Sequence, residues 1–242
     1  MSASSTHASS DRRRALAFGA TLTLVAGLGV ATAAPAQAAT PECGPNCISV
    51  FNAGLGPGFV EAVLDGGTAQ IGQPVGLSPL SGTDPSLDFL PGGASNTAPG
   101  QVALVSDFFA DGMVSAEVNA HYMDFPALQQ KYAPFGEETG LCVGVERVAQ
   151  NEDLVLIPCD VPGTTVWIVY PVSPGPTEPF AIVNGGTTDF DRPFAMHLPV
   201  NETASGSEQL QMELRHLQFL GDDDTLRLRQ LWLAFFGPPP QG

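Results

Sequence analysis

Basic residues are scarce in this 242-residue chain: nine Lys and Arg stand against 25 Asp and Glu. Three of the nine, Arg12, Arg13 and Arg14, lie near the N-terminus, so the chain beyond Ala38 keeps six against 24, a balance of −18. A surface this acidic is repelled by phosphate backbones and anionic lipid, which argues against nucleic acid or a membrane surface as partner. Its plain role is solubility outside the cell.

Patterns that carry chemistry are also lacking. Gly76-Leu77-Ser78-Pro79-Leu80 misses the second glycine of a nucleophile elbow. His121, His197 and His216 have no second His or Cys at ligand spacing, so no metal is expected. Asp222-Asp223-Asp224 lacks the glycine and distal glutamate of a calcium loop. Glu137-Glu138 and Glu152-Asp153 are neighbouring acids, but a glycosidase needs a defined carboxylate separation that spelling does not fix. The expectation is a protein without catalytic residues or cofactor, an extracellular hydrolase being the least favoured reading.

Long apolar runs are absent beyond Ala15 to Ala33. That run follows the three arginines and precedes Ala36-Gln37-Ala38, an A-x-A cleavage pattern. It reads as a bacterial secretory signal peptide over residues 1–38, exported by the general or the twin-arginine route. Residues 39–242 then form one secreted domain, long enough for a sizeable core. Asn201-Glu202-Thr203 spells a glycosylation sequon, of little weight behind a bacterial signal.

Cysteines are few, but all four lie in the exported part, where an oxidising space favours two disulfides. Three pairings are formally possible; Cys43–Cys47 with Cys142–Cys159 is expected. The second pair would face across a hairpin and close a loop worth about 3 kcal/mol by the chain-entropy argument.

What the chain has in plenty is Gly (27) and Pro (22), punctuating short β-prone runs. Leu141, Val143 and Val145 alternate with Cys142 and Gly144; Leu154 to Ile157 ends at Pro158; Val166 to Tyr170 ends at Pro171. With Leu128 to Tyr132 these make a central set of four strands. An earlier set comprises Ile48–Asn52, Phe59–Val63, Pro74–Leu77 and Leu87–Leu90. A later one comprises Phe180–Asn184, Phe194–Leu198, Leu210–Leu214 and Leu231–Phe235. Between the first two lie a loop, Pro91 to Gly100, and an insertion, Gln101 to Phe125. In the insertion Val102, Val105, Phe109 and Met113 have helical spacing, whereas Val114, Ala116, Val118, Ala120 and Tyr122 alternate. A helical turn followed by a strand is expected.

Each set opens with a strand ending near Asn or Pro-x-Gly and closes on an aromatic strand at Phe89, Trp167 or Trp232. Three sets of four strands imply an all-β fold, a β-trefoil with an insertion between its first and second repeats. The order Cys142, Cys159, Trp167, together with Gln230-Leu231-Trp232 as a Q-x-W signature, resembles the ricin B-type lectins. That resemblance implies a carbohydrate ligand. Where the family holds its sugar with an Asp, an aromatic ring and an amide, the central set carries Gly144, Ile157 and Thr165. Glu61 in the first set and Gln230 in the last are the remaining candidate contacts. The expected role is that of a monomeric, non-catalytic binding protein for a carbohydrate or an extracellular protein. The alternative is a secreted hydrolase inhibitor acting through the loop Pro91–Gly100 or Pro199–Gln209.

Overall fold

The computed structural model describes residues 40, 42–97, 102–172, 178–199, 209–220 and 225–236. The expected signal peptide, the sequon at Asn201, the Asp222–Asp224 run and Pro238–Pro240 lie outside those residues, as do parts of both candidate loops.

The described chain is predominantly β. β1 (Ile48–Asn52), β2 (Phe59–Val63), β3 (Val75–Pro79) and β4 (Phe89–Gly92) come first. β5 (Ala103–Leu104) leads into two short helices, Val105–Ala110 and Ala116–Tyr122. Next are β6 (Pro126–Tyr132), β7 (Leu141–Gly144), β8 (Glu152–Asp153), β9 (Val155–Pro158) and β10 (Trp167–Pro171). The last stretch holds β11 (Phe180–Asn184), β12 (Phe194–His197), β13 (Leu210–Gln211) and β14 (Glu213–His216). It ends with β15 (Phe219–Leu220), β16 (Thr225–Leu226) and β17 (Trp232–Phe236).

Strands β1, β4, β6, β10, β11 and β17 pair antiparallel in that order, and β17 returns to β1, so the six close a ring. Closure leaves no unpaired edge among them. Hairpins β2–β3, β7–β9 and β12–β14 extend from one end of the ring. They are tied to one another through Leu210 with Leu77, Pro74 with Val155, and Glu213 with Asp153.

The ring strands meet the hairpin end at three cross-strand pairs: Asn52 with Trp232, Trp167 with Asn184, and Phe89 with Tyr132. Trp167 Nε1 donates to Val143 O at 2.9 Å and Trp232 Nε1 to Met196 O at 3.1 Å, so each indole is pinned to the first strand of a hairpin. Asn52 Oδ1 accepts from Gly54 N and Asn184 Oδ1 from Gly186 N, both at 3.0 Å, which turns the chain out of the ring toward a hairpin. Around these pairs, Val63, Val75, Leu77, Val143, Leu154, Leu156, Met196, Met212 and Leu214 share one buried cluster with Phe89, Trp167 and Trp232. Inward residues recur every second position, as strand pleating requires.

Both expected disulfides are present, Cys43–Cys47 and Cys142–Cys159. The second does not join directly opposed residues. Cys142 faces Ile157, and Cys159 lies two residues further on, so the bridge crosses the hairpin diagonally with a Cα separation of 4.9 Å.

The insertion corrects the expected strand over Val114 to Tyr122. Residues 116–122 are helical, and the buried positions are Val114, Val118 and Tyr122, four apart. Ala116 and Ala120, which completed the apparent alternation, are exposed. Ser115 caps this helix by accepting from Val118 N at 3.2 Å.

Candidate functional site

Glu61 sits on β2 between Phe59 and Val63 in sequence, on the face turned to the main core, and is 1 % exposed. Its Oε2 accepts from Gln130 Nε2 at 2.9 Å, whereas Glu61 Oε1 has no partner. Desolvation pushes its carboxyl up from the ordinary 4.5 to about 8, which keeps it neutral at pH 7. Gln230 is buried completely. Its Nε2 donates to His216 O at 3.0 Å and its Oε1 accepts from Gln218 N at 2.8 Å, so the amide fastens the turn before Trp232 to the strand after His216.

Gly144, Ile157 and Thr165, the positions compared in the sequence with a lectin sugar site, are all buried. A Cβ on Gly144 would lie 2.6 Å from Ile157 Cδ1, so no larger residue fits there without displacing Ile157. Thr165 is buried, accepting from Gln129 Nε2 and donating to Val161 O, both at 2.9 Å.

The ring itself is hollow at the end away from the hairpins. A cavity of about 200 Å³ lies between Ile48 and Val50 of β1, Leu128 and Gln130 of β6, Trp167 and Val169 of β10, Phe180 and Ile182 of β11, and Ala234 of β17. These are alternate residues, the inward face of five ring strands. Pro126 and the half-exposed Val102 stand at the rim. Along their strands, Trp167 and Gln130 are nearest the hairpins and form the inner end.

Among the described residues no side chain lining the cavity is charged. Of the two that carry a polar atom, Trp167 has spent its N–H on Val143. Gln130, 1 % exposed, donates to Glu61 but leaves its Oε1 without a partner. Gln130, a lining residue that carries an unpartnered acceptor, is the polar feature of this otherwise apolar cavity. Gln130 and the cavity were not among the residues singled out from sequence. A signal was there, a Gln alternating between Leu128 and Tyr132 on the inward face of a strand.

Other clusters serve structure or lie on the surface. His197 is 1 % exposed, with its Nε2 4.0 Å from Glu213 Oε1. Desolvation, then the charges of Arg215, Arg229 and Arg227, depress it to about 4, so the imidazole is neutral at pH 7. Glu213 itself is matched by Arg215. Lys131 pairs with Glu138, and Arg147 with Glu152, as exposed ion pairs. The last turn of the helix Ala116–Tyr122 contributes to an aromatic array. Phe125 stacks on Tyr170 at 5.6 Å, the exposed His121 on Phe190 at 4.0 Å, and Tyr122 meets Phe125 and Tyr170 edge-on. Among the described residues no group of His, Cys, Asp and Glu is placed to hold a metal, and no helix is long and apolar enough to cross a membrane.

Compared with known proteins, the chain matches no family model and no curated protein.

Proposed function

We propose that this chain is an exported, non-catalytic binding protein built as a β-trefoil, and that its ligand enters the hollow end of the barrel. The trefoil reading is supported by the closed six-strand ring, the three hairpins at one end and the repeated Trp–Asn pairs at that end. Export is a reading of the N-terminal residues, with which two disulfides are compatible.

The observation that carries a binding role is the cavity: enclosed by ring strands, lined by apolar side chains, with one buried polar atom unpartnered. Mouths of barrels are frequent small-molecule sites. Among the described residues no titratable side chain lines the cavity, which favours binding over chemistry, because acid–base or nucleophilic catalysis needs such a group at the substrate. The test is a ligand-observed NMR screen of small apolar fragments against the full exported chain and Ala234→Phe, which fills the cavity. Hits lost in that variant support the reading. Hits that survive it, or no hits, contradict it.

A carbohydrate ligand is the second reading. It is favoured by the half-buried rings of Phe125, Tyr170 and Phe190, which can stack on the apolar face of a sugar. A glycan array decides it: binding competed by a simple sugar and lost in Tyr170→Ala supports this reading, and a blank array contradicts it.

A further inference from the structure

We propose that the barrel-end cavity takes a compact neutral molecule with a single hydroxyl, an alkylphenol or an alcohol of similar bulk, whose O–H donates to Gln130 Oε1. This rests on the reading of the barrel end as a binding site and adds the chemistry of its ligand.

Size bounds the class first. An apolar cavity of about 150 Å³ takes benzene. By that scale about 200 Å³ suits roughly eight to ten non-hydrogen atoms. Charge bounds it second: no lining side chain would compensate an ion stripped of water, so charged ligands are rejected. A sugar fits poorly for a related reason, since one available acceptor leaves most of its hydroxyls unpaired.

Polarity then selects within the neutral class. Gln130 Nε2 donates to Glu61 Oε2 at 2.9 Å, the carbonyl oxygen of the neutral carboxyl, which orients the amide and leaves Gln130 Oε1 without a hydrogen-bond partner. A carbonyl oxygen only accepts, so it asks the ligand for a donor. Within an apolar site a buried acceptor left unmade is costly, and a ligand O–H removes that cost on binding. Glu61 therefore acts as a positioning residue for the amide, and Gln130 is the contact.

The experiment compares para-ethylphenol with para-ethyltoluene, which has nearly the same shape but a methyl group in place of the hydroxyl. Binding to the full exported chain is followed by calorimetry and by intrinsic tryptophan fluorescence, to which Trp167 in the cavity wall contributes. The expected result is one site per chain, with the phenol tighter by about tenfold, equivalent to about 1.4 kcal/mol. Ala234→Phe abolishes binding of both. Gln130→Leu alone would strand Glu61, so the informative variant is Glu61→Leu with Gln130→Leu, which replaces both partners by apolar groups. There the preference falls to about onefold while both molecules still bind. Equal affinities in the unaltered chain would overturn the ligand assignment and leave the binding site standing. No binding of either molecule, or binding indifferent to Ala234→Phe, would overturn both.

Discussion

At the hairpin end of the ring, Phe89, Trp167 and Trp232 are buried completely and interlock with side chains from three hairpins. At the other end, Ile48, Leu128, Ile182 and Ala234 face one another across an apolar void. The same six strands build both ends, and the same period-2 alternation supplies inward residues to each. The difference is that the hairpins deliver a second layer of Val, Leu and Met at one end. At the other end the described residues supply no such layer between the lining side chains, and Ala234 leaves room where a larger residue would reach in. Packing at the hairpin end therefore carries stability, and its absence at the other end leaves the apolar cavity there.

The comparison is tested most harshly by truncation. Trp232→Ala should lower stability by about 3–5 kcal/mol, because it removes a buried indole and its bond to Met196. Phe180→Ala, at the half-exposed cavity wall, should cost roughly half as much or less in the same urea titration. Equal losses would break the contrast. Next in size is the staple on the hairpin β7–β9: replacing Cys142 and Cys159 together by Ala should cost about 3 kcal/mol.

Glu61 stands where the packed and hollow ends meet, and its titration reads that boundary. Its carboxyl is raised in the folded state, from 4.5 to about 8. Between those values the folded chain holds a proton that the unfolded chain releases. Its contribution to stability is thus fully present below pH 4.5 and is lost as pH rises through about 8. The slope is at most about 1.4 kcal/mol per pH unit. Glu61→Gln should flatten that part of the profile. His197 has the opposite sign: depressed to about 4 from 6.5, it leaves the folded state less stable as pH falls through that window. His197→Asn would remove that decline.

The smallest effect sharpens the comparison by addition of volume. Ala234→Phe should change stability by no more than about 1 kcal/mol, since the cavity accepts the ring. Gly144→Ala in the packed hairpin should instead cost about 1–3 kcal/mol, its new Cβ meeting Ile157 at 2.6 Å.

Much of the hairpin end was legible from sequence. Short β-prone runs bounded by Gly and Pro located the ring and hairpin strands to within a few residues. The recurring Asn turns and aromatic strands marked the pairs Asn52–Trp232 and Trp167–Asn184. The insertion was misread at its second half because alanines at 116 and 120 are compatible with either period, and only burial at Val114, Val118 and Tyr122 separates helix from strand. The cavity was not legible. A void depends on what five strands place opposite one another, and no local pattern records that Ala234 faces Leu128 and Ile182 rather than a larger partner. Glu61, expected from sequence to contact a ligand, is buried in the structure with its Oε2 accepting from Gln130 Nε2. Gln230, singled out beside it, has both ends of its amide engaged by backbone.

The most direct test of the hollow barrel end is a crystal of residues 39–242 held under xenon pressure, since dry apolar cavities of this size take up xenon. The account predicts a xenon site between Ile48, Leu128, Ile182 and Ala234, and none among Phe89, Trp232 and the hairpin side chains. A barrel end occupied by ordered water or closed by its own side chains would contradict it.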